Sequence, residues 1–208
     1  LQSAMSAKLT EGNTQTIEFR LSAGTYNVGS GIDLQMNTAT QSFTIVGVAD
    51  RSQVNIRCTD ITTDVFYCRN FKTVIFKNLT IHTGKYGLYI RNALVCHVEN
   101  CVFYKLGSST SSSIHNFANT QAQQLTHWQG TSTSNGGAMR LQTINRVLVR
   151  DNYIWRTLRG IRVQDVRHTM EYPSLITNNL ITETLESGIY LAANDYQFGV
   201  YGCRNVFV

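Results

Sequence analysis

The chain is poor in the residues that mark several common protein classes. Its 208 residues include a single proline, Pro173, far too few for a proline-rich linker. Charged residues make up only 15%, and no run of five or six like charges occurs, which argues against a nucleic-acid-binding tail. There is no CxxC, and the five cysteines, Cys58, Cys68, Cys96, Cys101 and Cys203, are an odd number. A disulfide framework and a zinc site are therefore both disfavoured. The cysteines lie in apolar, strand-like stretches and are expected as buried free thiols. No P-loop, dinucleotide fingerprint or metal-ligand spacing is present, so no cofactor and no metal is expected. No signal-peptide pattern or bilayer-length apolar stretch appears, and no membrane insertion is expected. Leu1–Leu9 has the apolar spacing of a helix cut partway, and Asn205–Val208 reads as the start of a strand; the expectation is a chain truncated at both ends.

What is present points to strands. Apolar residues make up 42%, there are 15 glycines, and the polar share is mostly Asn, Thr, Ser and Gln. With Val and Ile, this composition favours strands and turns over helices. The length suits one domain with a substantial core.

A repeat organises the chain. Val74–Ile81, Cys96–Phe103, Val147–Ile154 and Ser174–Ile181 align. Each is an alternating strand, an Asn/Asp corner and a second short strand. A Gly-led third strand follows each: Gly87–Ile90, Gly137–Leu141, Gly160–Val163 and Gly188–Leu191. The corner residues Asn78, Asn100, Asp151 and Asn178 are spaced 22, 51 and 27 apart, which reads as one coil, a coil with a long insertion, and a coil with a short one. Stacked Asn side chains bond the corner backbone and each other, and Asn tolerates the left-handed conformation of a sharp corner. Phe76, Val98, Val149 and Ile176 would stack inward, as would Ile81, Phe103, Ile154 and Ile181. A β-sandwich also has short strands, but the recurring Asn and Gly-led patterns favour an all-β parallel β-helix of about 22-residue coils with three strands each.

The expected layout is one domain over 1–208: a capping helix end over 1–10, N-terminal coils over 16–103, a loop insertion over 104–135 and later coils over 137–208. After the helix end come Ser22-Ala23-Gly24-Thr25-Tyr26 and Phe43–Val48. This order resembles the pectate-lyase-like right-handed parallel β-helix superfamily, and within it bacteriophage tailspikes and tail-associated depolymerases. Ser22 stands where the family commonly has proline. The resemblance implies a homotrimer on a virion tail, beside other tail proteins, with a bacterial surface polysaccharide as target. It is specific for fold and not for activity.

The outward residues of the third strands, Tyr89, Arg140, Arg162 and Tyr190, would form an exposed ladder at about 4.8 Å per step. Aromatic faces suit sugars and Arg suits carboxylates, so the ladder fits an acidic polysaccharide. A solvated strand face and a trimer contact are the competing readings. A second ladder is His82, Tyr104, Trp155 and Thr182, with Trp155 a candidate sugar platform or, equally, a ring covered by the insertion. The insertion contains His115, His127 and Trp128: His127 is a candidate proton-transfer group and Trp128 a candidate stacking platform. A shorter insertion carries His168 and Glu171.

Glycoside hydrolysis generally needs two carboxylates. Asp165, Glu171 and Asp195 are the candidates. Glu183 and Glu186 are set aside because the alignment puts them over Arg156 and beside Arg159, and such pairs lower a carboxylate pKa. A lyase would instead use a base such as His127 with a cation. The leading expectation is a tailspike-like protein, virion-borne or extracellular, that binds and as a depolymerase cleaves a bacterial surface polysaccharide. The alternatives are a non-catalytic structural or receptor-binding β-helix, and a secreted lyase or epimerase. No nucleic-acid partner is expected.

Overall fold

The computed structural model describes residues 1–9, 14–107, 136–166, 173–192 and 206–207. Among the described residues, a short helix α1 (Gln2–Ser6), with Met5 buried, is followed by strands only, apart from one 3-10 turn (Arg51–Gln53). The strands are β1 (Thr16–Leu21), β2 (Gly24–Val28), β3 (Ile32–Gln35), β4 (Ser42–Gly47), β5 (Val54–Cys58), β6 (Phe66–Lys77) and β7 (Thr80–Gly84). They continue as β8 (Tyr86–Glu99), β9 (Val102–Leu106), β10 (Gly137–Arg150), β11 (Tyr153–Gln164), β12 (Ser174–Thr177), β13 (Leu180–Ala192) and β14 (Val206–Phe207). Every described strand pairing is parallel. That excludes the antiparallel sandwich.

The pairings resolve into three faces. Face one stacks β1, β4, the second halves of β6, β8 and β10, then β12 and β14. Face two stacks β2, β5, β7, β9 and the first halves of β11 and β13. Face three stacks β3, the first halves of β6, β8 and β10, then the second halves of β11 and β13. Both inward columns form in the expected register. Phe76, Val98, Val149 and Ile176 are successive partners, and Ile45 and Phe19 extend their column into the earlier coils. Ile81, Phe103, Ile154 and Ile181 make the other. Edge-on contacts of Phe43 with Phe71 and of Phe66 with Phe76, at 4.7 and 5.0 Å between ring centres, fill the early coils. Cys58, Cys68, Cys96 and Cys101 are buried free thiols, and burial pushes Cys101 up to about 12.

Each corner is marked by a column of left-handed residues. The expected one is Asn78, Asn100, Asp151 and Asn178, with φ between 51° and 59°. Asn100 donates to Asn78 Oδ1 at 2.8 Å, and Asn178 donates to Asp151. Two further columns occur: Asn70, Asn92, Thr143 and Asp165 between faces three and one, and Thr83, Lys105, Arg156 and Glu183 between faces two and three. The glycine leading a third strand answers a different need, close approach of coils. A Cβ on Gly160 would lie 2.2 Å from the Gly188 carbonyl oxygen.

Candidate functional site

Face three carries the Tyr/Arg ladder. Alternation along its strands turns Phe66, Cys68, Leu88, Ile90, Met139, Leu141, Ile161 and Val163 into the core and leaves the residues between them outward. Tyr67, Tyr89, Arg140, Arg162 and Tyr190 are successive partners, with Asp33 one coil before. The Arg140 guanidinium lies 4.6 Å from the Tyr89 ring centre and that of Arg162 5.4 Å from Tyr190. Tyr67 covers another side of Tyr89, with ring centres 5.0 Å apart. Tyr190 is 46% exposed. With Arg162, Arg159, Glu186 and Ser187 it lines an open cavity of about 330 Å³.

A second outward column lies two residues further along each strand: Gln35, Arg69, Arg91, Gln142, Gln164 and Ala192. The two columns are cross-linked. Tyr89 donates from its hydroxyl to Gln142 Oε1 at 2.9 Å, and Arg140 donates from Nε to Gln164 Oε1 at 3.2 Å. The Nε atoms of Arg69, Arg91 and Arg162 are buried without a hydrogen-bond partner among the described residues. Three other arginines hold a carboxylate. Arg150 meets Glu99 at 2.6 Å, Arg156 meets Glu183 at 2.8 Å and Arg159 meets Glu186 at 2.5 Å. The Arg156–Glu183 and Arg159–Glu186 pairs are those expected from the alignment. Arg69 and Arg91 were missed; the signal was the repeated Tyr-x-Arg of Tyr67–Arg69 and Tyr89–Arg91, one strand step beyond the ladder.

Face two carries the second ladder. Arg57, His82, Tyr104, Trp155 and Thr182 are successive partners. His82 stacks on Tyr104 and Tyr104 on Trp155, with ring centres 4.6 and 5.2 Å apart. The Arg156 guanidinium lies 4.9 Å from the Trp155 ring. The Trp155 ring thus has both Tyr104 and Arg156 as neighbours. Burial, with Arg57 and Lys105 nearby, lowers His82 to about 4 and keeps it neutral at physiological pH.

Asp165 takes its place in a left-handed corner column, with φ 55° and 6% exposure, and its backbone N–H bonds the Ala192 carbonyl at 3.2 Å. Its position is that of a corner residue, matched by Asn70, Asn92 and Thr143 in other coils. Glu171, Asp195, His127 and Trp128 lie outside the described residues. A carboxyl that sequence reasoning did not single out is Asp64. Burial raises its pKa against the pull of Lys85, the Tyr86 N–H and Arg140; Tyr86 donates to its Oδ1 at 3.3 Å. Only the folded chain brings Asp64 near Arg140, so no local motif could have found it. Among the described residues no cluster of three or more His, Cys, Asp or Glu could hold a metal ion, and no helix is long and apolar enough to cross a membrane.

The family described as right handed beta helix region matches residues 64–204. The chain belongs to this family. Its handedness agrees with the rule for parallel crossovers. No curated protein and no solved structure matches the chain. Membership in the right-handed β-helix family places the chain among polysaccharide-interacting or structural β-helices.

Proposed function

We propose that the chain is a tailspike-like protein that binds an acidic bacterial surface polysaccharide along face three. The observation that carries this reading is the Arg140–Arg162 step: two guanidiniums on adjacent rungs, flanked by Tyr89 and Tyr190, with no carboxylate within ion-pair distance among the described residues. Adjacent like charges are unfavourable in a sheet, and an anionic ligand relieves them. Arg binds carboxylates through a planar fork, and the exposed Tyr190 adds a ring for a sugar. Assembly as a homotrimer on a virion tail, with other tail proteins, belongs to the same proposal and follows from the resemblance of the opening segments to tailspikes.

A binder without chemistry is the second reading. Glu183 and Glu186 are tied to arginines and Asp165 sits in a corner column. If the protein does cleave the polymer, Asp64 is the described carboxyl best suited to hold a proton, because burial raises its pKa. The test is incubation with the host's capsular polysaccharide or lipopolysaccharide, reading binding and shortened oligosaccharides together. Arg162→Ala is expected to weaken binding about tenfold, the loss of one charge-assisted contact; unchanged affinity removes face three. Products from the wild type but not from Asp64→Asn, with binding retained, establish a depolymerase; binding without products leaves the receptor-binding reading.

A further inference from the structure

The corner between faces one and two is built differently between β4 and β5. There the 3-10 turn Arg51–Gln53 takes the place that a single left-handed residue holds in later coils. Asp50 fastens the turn by accepting from the Ser52 N–H at 2.8 Å and from the Ser52 hydroxyl at 2.6 Å. Asn55 donates to the Ser52 carbonyl at 3.0 Å. The turn lies along the Asn corner column. Thr80, one coil on, donates from its hydroxyl to the Arg51 carbonyl at 2.7 Å. The Arg51 side chain reaches further. Its Nη1 donates to Asn100 Oδ1 at 3.0 Å, two coils on, and to the Asp151 carbonyl at 3.2 Å, three coils on. At about 4.8 Å per coil, those coils lie roughly 10 and 14 Å along the solenoid axis from the coil of β4. Coils of a solenoid otherwise touch only their neighbours.

The contact falls where the corner column lacks a donor. In this column an asparagine donates back to the residue one coil before it: Asn100 Nδ2 to Asn78 Oδ1 at 2.8 Å, and Asn178 Nδ2 to Asp151 Oδ1. The column between faces three and one repeats the direction, with Asn92 donating to Asn70 at 3.1 Å. An ionised aspartate only accepts, so the Asp151 side chain has no N–H to give to Asn100. Arg51 supplies that donor. The same step is the one at which the corner spacing is 51 residues, against 22 before it and 27 after. The longer connection makes closing this step costlier in chain entropy. We propose that Arg51 is a strap: it fills the donor position that Asp151 leaves empty and binds the coils on either side of this step into one cooperative unit. A guanidinium donor is stronger than the neutral amide it replaces. Without it the later coils, which carry Arg162 and Trp155, open at this step while the early coils stay closed.

The test is a double-mutant cycle on the full chain, read by urea unfolding and by native-state amide exchange. Arg51→Met keeps an unbranched stem and removes the donor. It is expected to raise the unfolding equilibrium constant about tenfold, the loss of one charge-assisted bond. The Asn100 and Tyr153 amides bond the Arg150 and Cys101 carbonyls across this step, whereas the Ile32 and Met36 amides bond the Val65 and Arg69 carbonyls in the early coils. In Arg51→Met the first two are expected to speed up by about tenfold more than the second two. Asp151→Asn restores an amide N–H beside Asn100. It is expected to change the stability of the wild type by less than about threefold, since the exposed charge it removes contributes little, and to return most of the loss in the Arg51→Met chain. If Arg51→Met does not fold, adding Asp151→Asn is expected to restore folding. Equal losses from Arg51→Met in the wild type and in the Asp151→Asn chain overturn the proposal, as does equal acceleration of all these amides. A loss from Asp151→Asn alone as large as that from Arg51→Met makes the contact a charge attraction and overturns it. A double variant that does not fold overturns it too.

Discussion

Asn152 offers a test in which hydrophobic pattern and hydrogen bonding predict opposite signs. The residue is 2% exposed and follows Asp151 at the corner, as Leu79 follows Asn78 and Cys101 follows Asn100. Leu79 is itself fully buried, so pattern alone predicts that Asn152→Leu is neutral or stabilising. The bonds say otherwise. Asn152 Oδ1 accepts from the Cys101 N–H at 2.9 Å, and its Nδ2 donates to the Val98 carbonyl at 3.1 Å. Leucine strands both backbone groups in the interior. At about 2 kcal/mol for each, the loss is about 4 kcal/mol. Burial of the leucine returns about 2 kcal/mol, so the net destabilisation is about 2 kcal/mol. Asn152→Ala lacks that return and should lose about 4 kcal/mol. Urea unfolding followed by tryptophan fluorescence, with the slope unchanged, measures both. A leucine variant as stable as the wild type would show that these two bonds contribute no net stability.

Two further perturbations follow from the same coils. Burial works to raise the Glu99 carboxyl, but Lys77 at 3.0 Å and Arg150 at 2.6 Å outweigh it and hold its pKa below the usual value. Its contribution is present above the unfolded pKa of about 4.3 and disappears as pH falls from there through the folded value. Glu99→Gln should lower the melting temperature at neutral pH, by an amount worth about 1 kcal/mol for so exposed a pair, and should match the wild type in acid; a pH-independent difference would contradict this. Gly160→Ala should cost about 1–3 kcal/mol by overpacking, because its Cβ has no room beside the Gly188 carbonyl; an unchanged denaturation midpoint would show that the coils can part.

The legible features were those that each coil writes locally. The inward columns appear as alternation because Phe76, Val98, Val149 and Ile176 meet the same core. The Asn78 corner was readable because Asn and Asp tolerate a left-handed backbone. The column of Thr83, Lys105, Arg156 and Glu183 adopts the same conformation with side chains that do not favour it. There the stacking of coils imposes the turn, and no residue type announces it. Likewise Arg140 and Arg162 aligned because Gly137 and Gly160 lead their strands, whereas the strand of Tyr67 and Arg69 follows Asp64-Val65 with no leading glycine. The ladder of His82, Tyr104 and Trp155 was legible from sequence, whereas the approach of Arg156 to the Trp155 ring was not, because it depends on the turn that the stacked coils impose.

The proposed ligand lies on face three. Hydroxyl-radical footprinting with and without polygalacturonate separates the faces by their own aromatic residues. Protection of Tyr190 and Tyr67, with Trp155 and Tyr153 unchanged, is the predicted result. Protection of Trp155 and Tyr153, with Tyr190 still reactive, would move the site to face two.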